Sequence, residues 1–94
     1  MRTVKDVFKF RLFIAGNSPN STLAVFNLNA FCRKHLPDRH EIELVDVFRN
    51  PAAALADGVT LTPKLVKLSP GPSCEIIGTL SNEPTVINAL GLSA

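Results

Sequence analysis

Residues 7–15, Val-Phe-Lys-Phe-Arg-Leu-Phe-Ile-Ala, put Phe8, Phe10, Leu12 and Ile14 on one face of an extended chain. Val7, Lys9, Arg11, Phe13 and Ala15 fall on the other. Period-two patterning with this aromatic content predicts a strand. The second face is polar early and apolar late, which suits a strand covered on both sides at its far end. The chain then turns at once, through Gly16-Asn17-Ser18-Pro19-Asn20-Ser21. Ser18 is placed to cap a helix, and Pro19 falls at the first helical position, where its missing N–H costs nothing. Glu41 to Phe48 alternates again, with Ile42, Leu44 and Asp46 facing one way and Glu43, Val45 and Val47 the other. A strand, a helical stretch and a strand predict a βαβ unit, with parallel pairing and a right-handed crossover.

Within the first helix, Leu23, Phe26 and Ala30 share one face with Asn27 at its edge, and Ala24, Leu28 and Phe31 lie beside them. So broad a stripe predicts a packed helix. Arg33, Lys34 and His35 fall in the last turn, where cations complement the helix dipole, and Pro37 helps end it. Asn50-Pro51 repeats the cap-plus-proline device, Ala52 to Ala56 continue the helix, and Gly58 stops it. Lys64–Ser69 and Cys74–Gly78 read as short strands joined by Pro70-Gly71-Pro72-Ser73. Ser81-Asn82-Glu83-Pro84 opens a last helix whose apolar side is Val86, Ile87 and Leu90. The order β-α-β-α-β-β-α predicts an α/β domain spanning residues 1–94, a four-stranded mixed sheet with helices on both faces.

Composition narrows the function classes. An apolar share of 46% against 19% charged is that of a packed chain, not a disordered one. A net charge of +2 gives no electrostatic footprint for nucleic acid, so no nucleic-acid partner is expected. No apolar run reaches the ~18 residues of a membrane span, and Lys9 and Arg11 interrupt the early apolar stretch, so a cytoplasmic protein is expected. Two cysteines, Cys32 and Cys74, fit a reduced compartment, are read as small buried hydrophobes, and lack the spacing of a zinc site. No metal and no cofactor are expected.

Some residues invite a chemical reading beside a structural one. His35 and His40 flank the Pro37-Asp38 turn without a third ligand at suitable spacing, and are read as surface histidines. Asp46, amid apolar strand residues, is read as an anchor for a helix end or a partner for Arg11 or Lys9. The Asn17–Ser21 segment is read chiefly as capping, with anion binding at the helix N-terminus as the alternative. Lys64 and Lys67 lie three apart on a strand and so point to opposite faces.

The element order resembles that of the thioredoxin fold. In such domains the loop between first strand and first helix carries reactive thiols, and a proline precedes the third strand. Here Pro63 takes that second place and is a candidate for a cis peptide bond, while the loop reads Asn17-Ser18-Pro19-Asn20 without cysteine. Four blocks resemble the KaiB family: Leu-Phe-Ile-Ala-Gly-Asn-Ser-Pro-Asn-Ser at 12–21, Val-Asp-Val-Phe-Arg-Asn-Pro at 45–51, Leu-Thr-Pro-Lys-Leu at 61–65 and Ile-Ile-Gly-Thr-Leu-Ser-Asn at 76–82. The resemblance implies a regulator with no catalytic residue, which binds the KaiC ATPase and recruits further partners through an exposed sheet edge and the second helix. It also implies two folds from one sequence, a tetrameric resting fold and a monomeric thioredoxin-like one, with the half from about Asn50 onward rearranging.

On this resemblance the residues expected to meet a protein partner, a KaiC-like ATPase or a sensor kinase, are Asn17, Asn20, Arg49, Lys64 and Lys67. Those expected to hold the fold are Gly16, Pro19, Pro51, Pro63, Gly78 and Ala89. Ala89, where relatives tend to have Gly, raises helix propensity by about 1 kcal/mol, so the chain is expected to rest as a thioredoxin-like monomer, with a tetramer as the alternative. Leu23 and Phe26 stand where family members often carry Arg and Lys, and Glu43 where Lys is usual. These departures leave a KaiC-independent stress or signalling paralogue as another reading, and the two cysteines leave a third, a thiol-dependent redox protein using Cys32 or Cys74.

Overall fold

The alternation in residues 7–15 becomes a strand, β1 (Phe8–Ile14), in a computed structural model that describes residues 6–92. It is followed by α1 (Pro19–His35), β2 (His40–Asp46), α2 (Pro51–Ala56), β3 (Lys64–Ser69), β4 (Cys74–Ile77) and α3 (Glu83–Leu90). The strands form one sheet in the order β2-β1-β3-β4. β1 runs parallel to β2 and antiparallel to β3, and β3 pairs antiparallel with β4. This is the thioredoxin-like α/β arrangement that the element order predicts.

Phe8, Phe10 and Leu12 project from one face of β1 into a core with Ala24, Leu28, Phe31 and Cys32 of α1, Leu65 of β3, and Val86 and Leu90 of α3. Each large apolar side chain sealed there contributes about 1.5–3 kcal/mol. The other face of β1 turns Arg11 and Phe13 toward α2. Phe13 and Val45 are buried there, and Arg11 reaches Asp57, the C-cap of α2, at 3.0 Å. The two faces are unequally covered, since α2 buries none of its own residues.

Several expectations are corrected. The buried stripe of α1 is Ser21, Ala24, Leu28, Phe31 and Cys32, while Leu23 and Phe26 are exposed. Ser21 turns inward, where its Oγ accepts the Ala15 N–H at 3.0 Å, and the stripe that shares its face with Ala24, Leu28 and Phe31 leaves Leu23 outside. Ser18 is the N-cap of α1 but makes no side-chain cap bond. Its backbone carbonyl instead accepts the Thr22 N–H at 2.9 Å. β2 ends at Asp46 rather than Phe48, because residues 47–49 form a turn in which the Asn50 N–H donates to the Asp46 carbonyl. The caps of the other helices follow expectation in kind: Asn50 Oδ1 accepts from Ala53 N–H, and Asn82 Oδ1 from Thr85 N–H. Gly91, in the left-handed region at φ 73°, closes α3. Val86 to Leu90, with Ala89 among them, lie within this helix. Among the described residues no helix is long and apolar enough to cross a membrane.

Candidate functional site

Parallel pairing brings the ends of β1 and β2 side by side, Ile14 opposite Asp46, so the loops that follow them meet. Asp46 joins the two loops. One carboxylate oxygen, Oδ1, accepts the Gly16 N–H at 3.1 Å and the Phe48 N–H at 2.9 Å. Its second oxygen lies 3.9 Å from the Arg49 guanidinium. Asp46 is thus an anchor, but its partners are backbone donors and Arg49, not Arg11 or Lys9. Arg11 is held by Glu43 at 2.8 Å and by Asp57 at 3.0 Å. Both carboxylates hydrogen-bond the guanidinium, Glu43 most strongly, and raise the pKa of Arg11 above its ordinary value.

Gly16 takes φ 54°, in the left-handed region, and a Cβ there would sit 3.4 Å from the Phe48 ring. Both facts favour glycine at this turn. Asn17 and Asn20 are exposed beside it, and the Asn17 carbonyl accepts the Thr22 hydroxyl at 3.4 Å. The Thr62-Pro63 bond is cis, as are Ser69-Pro70 and Gly71-Pro72. Lys64 pairs with Phe13, so Pro63 lies at the same end of the sheet. Pro63 is buried, and its carbonyl accepts the Gly78 N–H at 2.9 Å. One end of the sheet therefore gathers Gly16, Asn17, Pro19, Asn20, Arg49, Pro51, Pro63 and Gly78.

Lys64 and Lys67 are set apart from that surface. They do point to opposite faces, and both are buried, at 6% and 5% exposure. Lys64 pairs with Glu75 at 3.1 Å on the α2 side. Lys67 lies on the core side, its ammonium 3.5 Å from the Leu90 carbonyl and 5.6 Å from the Phe8 ring centre. There it meets the negative end of the α3 dipole. Ala89 is exposed on α3.

Sequence reading missed the link between α1 and α3. His35 Nε2 lies 2.8 Å from Glu83, and Lys34 Nζ 3.1 Å. These hydrogen bonds, that of His35 first, hold the Glu83 carboxyl below its ordinary pKa. His35 is therefore not a free surface histidine: it is half-buried against Phe31 with ring centres 4.5 Å apart. His40 Nδ1 likewise bonds the Leu36 carbonyl at 2.8 Å. Glu83 stands 48 residues from His35, and no local pattern announces the pair.

The chemistry for catalysis is sparse. Cys32 is fully buried, and desolvation pushes its thiol up to about 11, the reverse of a reactive thiolate. Cys74 is half-buried, and both thiols are free. Among the described residues no group of His, Cys, Asp and Glu could hold a metal ion. The α2 side carries exposed apolar residues instead, Leu55 at 82% and Phe48 at 75% among them.

The KaiB domain family model matches residues 11–92. A circadian clock oscillator protein KaiB from Thermostichus vulcanus is 36% identical over 92 residues, covering 98% of this chain and 85% of the relative. Among solved structures, the N-terminal domain of Synechococcus elongatus SasA superposes with a TM-score of 0.72 at 18% identity, over 99% of this chain and 91% of that one. Chloroplastic thioredoxin z gives 0.74 at 15% identity, over 95% and 82%. At such identities the structural likeness speaks to fold alone.

Proposed function

The chain belongs to the KaiB family, and on that premise we propose that it is a non-enzymatic regulator that binds a KaiC-type ATPase or a related signalling partner in circadian or clock-derived control. The observation that carries the reading is the match over residues 11–92, which takes in every helix and strand after the first residues of β1. It acts in the cytoplasm as a monomer resting in the thioredoxin-like fold. The docking surface is the sheet end bearing Asn17, Asn20 and Arg49, continued by α2 and the free edge of β2. Arg49 steers, and the exposed apolar side chains Phe48 and Leu55 supply the area lost to water on docking. Lys64 and Lys67 act from within, Lys64 by holding β4 through Glu75 and Lys67 by seating the end of α3.

A thiol-dependent activity finds no support in this geometry, because the loop at the sheet end lacks cysteine and Cys32 is sealed in the core. The test is size-exclusion chromatography with light scattering, on the chain alone and mixed with a phosphorylated KaiC-type ATPase. The expected results are a species near 10.2 kDa alone and co-elution in the mixture. A tetramer alone would overturn the resting state. Separate elution at micromolar concentrations would overturn KaiC binding in favour of the KaiC-independent paralogue.

A further inference from the structure

A groove of about 520 Å³ runs along α1 on the face of the sheet opposite α2. Ile14, Thr22, Val25, Phe26, Asn29 and Arg33 line it. The helical residues recur at spacings of three and four, so they form one stripe down α1. Ile14 and Val25 back onto the core, while Thr22, Phe26, Asn29 and Arg33 turn to water, away from α3, which Lys34 and His35 meet through Glu83. From Thr22 to Arg33 a helix rises about 16 Å at roughly 1.5 Å per residue. Phe26 lies in this groove at 65% exposure, a large ring left in water.

Arg33 is the one charged residue on the lining, and no acid joins it. Among the described residues its guanidinium makes no ion pair or side-chain hydrogen bond, unlike Arg11, Arg39 and Arg49. Beside it, Asn29 spends one amide N–H on the Val25 carbonyl at 2.9 Å and keeps a second N–H as a donor. The groove thus has an apolar floor and one cationic end, and its volume falls in the range of small-molecule sites.

We propose that this groove binds a free amphipathic monocarboxylate, with its apolar chain along Ile14, Val25 and Phe26 and its carboxylate forked onto Arg33. The guanidinium fits a planar carboxylate through two parallel hydrogen bonds. A bilayer surface fits less well, since membrane recognition by charge uses clusters of about four to eight cations and this groove has one. The groove meets the partner surface proposed above at Asn17, which lines its sheet end, and otherwise runs along α1, away from α2.

The test is an NMR titration of the ¹⁵N-labelled full chain with sodium decanoate, kept below its aggregation threshold, with decyltrimethylammonium as the comparator of opposite charge. The expected result is a saturable set of shifts centred on Ile14, Thr22, Val25, Phe26 and Arg33 with decanoate and none there with the cation. Arg33→Gln, at an exposed position, should keep the parent spectrum and weaken decanoate binding roughly tenfold, the loss of one charge-assisted pair. Phe26→Ser should weaken it by a similar factor. Shifts that never saturate, equal binding of the cation, or an Arg33→Gln variant that binds as the parent does would each overturn the proposal.

Discussion

Replacing Asp46 with alanine should unlatch the two loops that meet at the end of β1 and β2. The carboxylate oxygen that is lost accepts the Gly16 N–H at 3.1 Å and the Phe48 N–H at 2.9 Å, and both donors would be left without it. A hydrogen bond to a charged group contributes about 1.5–3 kcal/mol. Asp46 is only half-buried, so the lower end applies, and the pair amounts to about 3 kcal/mol. Asparagine retains an acceptor oxygen without the charge and should cost about half as much. Without Trp or Tyr in the chain, urea unfolding is best followed by far-UV circular dichroism. At a slope near 1 kcal/mol per molar urea, the midpoint should fall by about 3 M for alanine and about 1.5 M for asparagine. The reasoning is refuted if the alanine variant stays within about 0.5 kcal/mol of the parent, as an ordinary surface change does, or if asparagine is as costly as alanine.

Glu75→Gln should destabilise by about 1–2 kcal/mol, because it strands the buried Lys64 ammonium, whereas Lys64→Met should be near neutral. Urea midpoints for the two variants check this asymmetry. Glu83 keeps its charge to lower pH in the folded chain than in the unfolded one, with His35 the main cause. Its contribution is therefore full above the unfolded carboxyl range and lost as pH falls through the folded value. A ¹³C titration should place Glu83 below a free glutamate and His35→Phe should move it back; a normal titration in the parent contradicts the link. Cys32, its thiol near 11, should stay unmodified by a thiol reagent at neutral pH, and neither Cys32→Ala nor Cys74→Ala should alter turnover of a disulfide substrate above the uncatalysed rate. Arg49→Glu should weaken binding to a KaiC-type ATPase about tenfold through a slower association rate, read by surface plasmon resonance.

How much of this was legible from sequence depends on the range of each interaction. Strand periodicity in residues 7–15, the Asn50-Pro51 and Asn82-Glu83-Pro84 helix starts, and Gly58 as the stop after α2 are local signals, and the elements follow them closely. Helix rotation is not local. Leu23 and Phe26 look as apolar as Leu28, and which stripe turns inward is set by how α1 packs on the sheet, with Ser21 bonded to Ala15 on the inner side. Asp46 could be recognised as an anchor from its apolar neighbours, but its partners are backbone N–H groups, which no side-chain pattern encodes. Spacing alone puts Lys64 and Lys67 on opposite faces of β3, where the structure has them. Their burial depends on Glu75 and on the end of α3, which fold onto them from later in the chain. The glutamate at 83 and the histidine at 35 meet only because α1 and α3 cover the same face of the sheet.

The account's central claim is that a thioredoxin-like fold without a thiol site works by docking on another protein. An NMR titration of the labelled chain with a phosphorylated KaiC-type ATPase tests it most directly. The account predicts that Asn17, Asn20, Arg49 and the amides of α2 broaden on binding, while residues 83–90 show helical secondary shifts in the free chain. Undisturbed signals at those positions in the presence of saturating ATPase, or extended shifts across 83–90 in the free chain, would contradict it.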